Sequence, residues 1–145
     1  VEAVRISCLF HDAERGLKPK YHEKRSALLA EKYLKESNAP KSLIEKVKKI
    51  ILNHHSDPDK LETIEEKILW DADKIDALGL IGLARCLMEA GFYKHTVKEA
   101  ITHALNDLKS FKDKMHLKET KEMAKLRAFQ MLMFLRELEK ELEKY

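Results

Sequence analysis

Apolar residues recur at every third and fourth position along nearly the whole chain, and most of the helix-breaking residues fall between these runs. Gly16 and Pro19 interrupt the first run, Asn38-Ala39-Pro40 the second, Pro58 the third and Gly91 a later one. That rhythm predicts an all-α protein. Its helices span residues 1–12, 22–36, 40–55, 63–90 and 96–111, with a last one from about residue 120. Composition agrees: of 145 residues only 4 are Gly and 3 Pro, while 44% are hydrophobic and 37% charged. A chain of this length buries roughly 70% of its unfolded surface. The reading is one compact multi-helix bundle over residues 1–145, with no repeat, linker or low-complexity tract.

Inward faces follow from the same spacing. They hold Ala27, Leu28, Ala30, Tyr33 and Leu34 in the second helix and Leu43, Ile44, Val47, Ile50, Ile51 and His54 in the third. Ala100, Ile101, Ala104, Leu105 and Leu108 follow in the fifth. In the last helix Met123, Leu126, Phe129, Met133, Leu135, Leu138 and Leu142 form the expected core stripe. Thr63-Ile64-Glu65-Glu66 and Thr96-Val97-Lys98-Glu99 have the hydroxyl-then-Glu spacing of capping boxes. Gly79 and Gly82 fall inside the 63–90 run, where a close helix crossing accounts for them.

Charge narrows the function. The 28 basic and 25 acidic residues give a net +3, a mixed surface without the concentrated basic patch of a nucleic-acid binder. No run approaches the ~18 apolar residues of a membrane span. Cys8 and Cys86 lie in apolar helical surroundings without metal-type spacing, which reads as reduced core thiols in a cytoplasmic protein. The chain opens on Val1 in mid-pattern, so an upstream segment is expected to be missing.

Residues able to bind metal gather at helix ends. His11-Asp12 closes the first helix, His22 opens the second and His54-His55 closes the third. Adjacent helical residues point about 100° apart, yet an ion at a helix end can take a ring nitrogen from one and a carboxylate oxygen from the next. Asp71-Ala72-Asp73-Lys74-Ile75-Asp76 puts three carboxylates into an otherwise apolar helix, which is costly unless they are paired or metal-bound. Asp73 and Asp76 share a face and Asp71 points elsewhere. Imidazole and carboxylate donors without Cys suit Mn, Fe, Co, Ni or Zn, with Mg also allowed. A divalent ion in such a site polarises a phosphoryl oxygen and activates water.

The order of these residues resembles the HD-domain metal-dependent phosphohydrolases, over residues 1 to about 90. Asn53-His54-His55-Ser56, Asp71 through Gly79 and Ile81-Gly82-Leu83-Ala84-Arg85 resemble the branch that includes nucleoside-triphosphate pyrophosphohydrolases. The resemblance implies that His11 and Asp12 are metal ligands, with Asp73 as the final ligand and Asp71 as its alternative. His22, His54 and His55 then become phosphate-binding, second-metal or supporting residues, and Glu14 orients water. It further implies a divalent metal cofactor and a small phosphorylated substrate such as a nucleotide, with a homo-oligomer allowed. Arg15, Lys18 and Lys20 make the first loop basic enough to meet a phosphate, and Lys74 and Arg85 are further candidates or surface ion pairs. In the family another His precedes His11-Asp12 on an earlier helix, outside this sequence. Two other classes compete: a non-catalytic helical module that binds a nucleotide or protein through a degenerate site, and a structural bundle with a buried polar network.

Overall fold

The computed structural model describes residues 1–16 and 20–144; Lys18 and Pro19 lie outside the described residues. The described residues form seven α-helices, one 3-10 turn (Pro58–Lys60) and no strand. The helices are α1 (Glu2–Phe10), α2 (His22–Glu36), α3 (Lys41–Asn53), α4 (Ile64–Asp76), α5 (Gly79–Phe92), α6 (Val97–Phe111) and α7 (Lys118–Leu142). They fall into two compact units, Val1–Trp70 and Asp71–Tyr145. No helix among the described residues is long and apolar enough to cross a membrane.

In the first unit α1, α2 and α3 pack on one another. The core joins Ala27, Ala30 and Leu34 of α2 to Ile44, Val47, Ile50 and Ile51 of α3, with Ala3 and Leu69. α3 buries the face its spacing predicted. α1 is less buried than expected: only Ala3 and Ser7 are fully covered, because this i, i+4 line turns Cys8 and Leu9 about 100° and 200° outward. Cys8 is therefore exposed, not a core residue, and both thiols are free. Leu28 and Tyr33 likewise face outward, since the small pair Ala27 and Ala30 lets α2 approach α3 closely.

Both capping boxes form. Thr96 Oγ1 accepts from the Glu99 backbone N–H while Glu99 accepts from that of Thr96. At α4 the Thr63 N–H donates to Glu66 Oε2 at 2.7 Å and the Glu66 N–H to Thr63 Oγ1 at 3.3 Å. Glu66 does more than cap. It is fully buried, and its Oε1 also accepts from Asn53 Nδ2 at 2.6 Å, tying the start of α4 to the end of α3.

In the second unit α5, α6 and α7 pack pairwise. The helix expected over 63–90 is broken, because Leu78 is extended and Gly79 adopts φ +86°, a left-handed conformation that L side chains rarely take. The close approach expected of its glycines is to another helix at Gly79, where the Arg127 side chain of α7 lies against it, but not at Gly82. A Cβ on Gly82 would sit 2.3 Å from the carbonyl oxygen of Ala77, so the link between α4 and α5 folds back onto α5.

α7 buries Leu135 of the expected stripe but otherwise a different face. Ala124, Ala128, Met131 and Leu135 point inward, whereas Met123, Leu126, Phe129, Met133 and Leu142 are exposed. Small residues on the inner line let α7 lie close to α5 and α6, and hydrophobicity alone does not rank two apolar faces.

Candidate metal centre

The site is built from the ends of three helices in the first unit. His11 is the C-cap of α1, His22 the first residue of α2 and His54 the C-cap of α3. Tyr21, at φ +62°, turns the chain sharply into α2. The intervening loop is laced down: the Glu14 N–H donates to buried Ser26 Oγ, and Arg25 donates to the carbonyls of Glu14 and Lys20. Sequence reasoning missed these lacing residues. Ser26 offered one signal, lying one turn from His22.

Two imidazoles are oriented the same way. His11 Nδ1 lies 2.9 Å from the Cys8 carbonyl, and His54 Nδ1 2.6 Å from the Ile51 carbonyl. A carbonyl only accepts, so each Nδ1 donates to it and Nε2 is the nitrogen left for the site. Backbone-pinned rings of this kind are the usual support for a metal-ligating histidine. Nε2 of His54 meets Nε2 of His22 at 3.3 Å. Asp12 Oδ1 lies 2.9 Å from the His22 nitrogen and 3.5 Å from that of His54. Its other oxygen, Oδ2, accepts from Arg15 Nη1 at 3.2 Å.

Asp12 Oδ1 is buried and makes no hydrogen bond. An ionised oxygen left this way costs about 1–3 kcal/mol or more. The imidazole of His54 beside it holds Asp12 well below the usual carboxylate range; burial opposes this, and His11 and Arg15 reinforce it. Asp12 is thus an anion with a buried oxygen beside the ring nitrogens of His22 and His54, an arrangement that suits a cation.

One donor atom from each of Asp12, His22, His54 and His55 lies within 4.8 Å of the others. Donors at about 2.1 Å around one ion stand at most about 4.2 Å apart, so this set closes with shifts of a few tenths of an ångström. The residues fit a divalent ion. His55 is exposed, its ring 4.1 Å from that of His54 and 5.0 Å from that of His22. The His11 ring stands 5.3 Å from that of His54. Glu14 is exposed and contributes its backbone to the lacing.

The Asp-rich segment takes three different fates. Asp71 is fully buried, accepting from His116 N–H and Nδ1, from Leu117 N–H at 2.9 Å and from Thr120 Oγ1 at 2.5 Å. Its carboxylate therefore caps the start of α7. No sequence signal pointed to His116, which lies between helices 45 residues away. Asp73 is half-buried and pairs with Lys74 Nζ at 2.6 Å. Asp76 is exposed and pairs with Arg85, the surface ion pair anticipated for that arginine.

Comparison with known proteins places this geometry in a wider setting. The HD domain family model matches residues 1–78. The uncharacterized protein YpgQ of Bacillus subtilis is 38% identical over 84 residues, which is 55% of this chain and 41% of that protein. The chain thus matches well under half the length of this curated relative. The crystal structure of YpgQ in complex with ADP superposes with a TM-score of 0.78 at 29% identity, over 97% of this chain and 76% of that one. An HD-superfamily hydrolase from Bacillus thuringiensis gives a TM-score of 0.69 at 25% identity, over 99% and 74%.

Proposed function

Because the chain belongs to the HD-domain family, we propose that it is a metal-dependent phosphohydrolase acting on a small phosphorylated substrate, a nucleotide foremost. The observation that carries this reading is the buried, ionised Asp12 Oδ1, which makes no hydrogen bond and lies 2.9 Å and 3.5 Å from ring nitrogens of His22 and His54. Asp12, His22, His54 and His55 hold the ion, with His11 beside them. The resemblance assigns a further ligand to Asp73, which the metal content of Asp73→Ala tests. The imidazole and carboxylate donor set favours Mn, Fe, Co, Ni or Zn. A bound ion of this kind supplies Lewis acidity towards a phosphoryl oxygen and water.

This chain's own residues supply the rest. The pinned Nδ1–H groups of His11 and His54 keep both rings oriented without reorganisation. Arg15, whose guanidinium already touches Asp12, and Lys20 offset the charge that develops on a phosphoryl group. The exposed Glu14 carboxylate is the residue proposed to orient water. Nucleotide as substrate class draws support from the ADP complex of YpgQ.

The test is elemental analysis of the chain purified without chelator, followed by a phosphate- and pyrophosphate-release screen over nucleoside phosphates with each metal. Near-stoichiometric metal and turnover that chelator abolishes are expected. Absence of metal after soaking, with a nucleotide still bound, overturns the reading in favour of a non-catalytic module.

A further inference from the structure

α7 has two apolar faces. Ala124, Ala128, Met131 and Leu135 are buried. About 180° round the helix, at 100° per residue, Leu126, Phe129 and Met133 are 59%, 63% and 45% exposed, flanked by Met123 and Phe134. The outer face of a surface helix is ordinarily polar. At about 200 Å² for a large side chain, these five leave roughly 500 Å² of apolar surface open, at the upper end of the largest patch on a typical monomer.

We propose that this face is a dimer seam, on which a second copy lays its own α7 antiparallel. Charge complementarity selects both the occupant and its direction. Glu122, Phe129 and Lys140 run along one edge of the stripe, 7 and 18 residues apart, about two and five helical turns. The antiparallel register that sets Phe129 against Met133 of the second copy brings Glu122 level with its Lys140. Two-fold symmetry makes each contact twice. A parallel pair sets Glu122 against Glu122 and Lys140 against Lys140. Lys140 is available, since its present pairing with Glu137 is between side chains two-thirds exposed. The two copies together bury about 1,000 Å² of apolar surface, the lower bound for a specific interface. A lipid surface fits less well, because Glu119, Glu122 and Glu137 border the stripe where a membrane-binding helix carries Lys and Arg.

Sedimentation of the whole chain over a range of concentrations tests the proposal. A reversible dimer is expected, with Phe129→Glu weakening association roughly tenfold or more at unchanged helicity. Glu122→Lys and Lys140→Glu each weaken the dimer, and the two together restore it. A chain that stays monomeric, a dimer indifferent to Phe129→Glu, or reversals whose effects add instead of cancelling overturns the proposal. So does adsorption to anionic vesicles without self-association.

Discussion

Asp12 divides its two oxygens, one to Arg15 and one to the histidine cluster. Asp12→Ala removes the anion that the cluster faces, and elemental analysis is expected to show lost metal and assays lost hydrolysis, with helical content by circular dichroism largely intact. Unchanged metal content strikes Asp12 from the ligand set. Asp71 and Asp73 are separable by the same pair of readouts. Asp71→Asn points an amide NH₂ into a nest of donors, so thermal unfolding is expected to show a loss of about 2–4 kcal/mol. Asp73→Ala is expected to lower metal content with a smaller effect on stability. The sequence alone placed His11, Asp12, His22 and His54-His55 at helix ends, because a helix boundary is a local property of a few residues. It did not separate Asp71 from Asp73, since what distinguishes them is His116 and Thr120, brought in by tertiary folding.

Elements reach the site through their ends. Glu66 joins the first turn of α4 to Asn53, the residue before His54, so the histidine's position depends on a carboxylate outside the cluster. Burial pushes the Glu66 carboxyl up, but the donors from Thr63 and Asn53, with Lys49, together hold it below its ordinary value of 4.5. A carboxyl depressed in the folded state contributes stability that is present above pH 4.5 and lost as pH falls through the lower folded value. Acid titration of unfolding stability is expected to show that loss, with Glu66→Gln less stable at neutral pH and flatter below pH 4.5. Gly82→Ala puts a methyl group 2.3 Å from the Ala77 carbonyl oxygen, and denaturant unfolding is expected to show a cost of about 2–4 kcal/mol. Periodicity carried one helix through this region, because a single left-handed residue at Gly79 breaks a helix without altering the apolar pattern around it.

On the scale of the whole molecule, a ligand bound only by the folded state raises stability by about 2.7 kcal/mol at a hundredfold excess over Kd. For a chain of this size that is a shift of roughly 5–10 °C. Chelator is expected to lower the unfolding midpoint by that order, with Mn or Zn restoring it, as differential scanning fluorimetry can follow. An unchanged midpoint removes the ion from the native state. The helical architecture of the described residues was legible, since their seven helices and two formed capping boxes leave strong local signatures. The packing of α7 was not, because Ala124 and Ala128 owe their burial to close helix approach rather than to hydrophobicity.

The capping of α7 by Asp71 also sets an order of events during synthesis. The carboxylate is made on the ribosome some 45 residues before its partners His116, Leu117 and Thr120 emerge. Until then it has only water to answer it, and burying it early carries the full desolvation penalty. The core cluster of the first unit is drawn from residues 3 to 69, all made by that stage. A chain cut before residue 116 is therefore expected to leave Asp71 without its donors, and the second unit without the contact that starts α7.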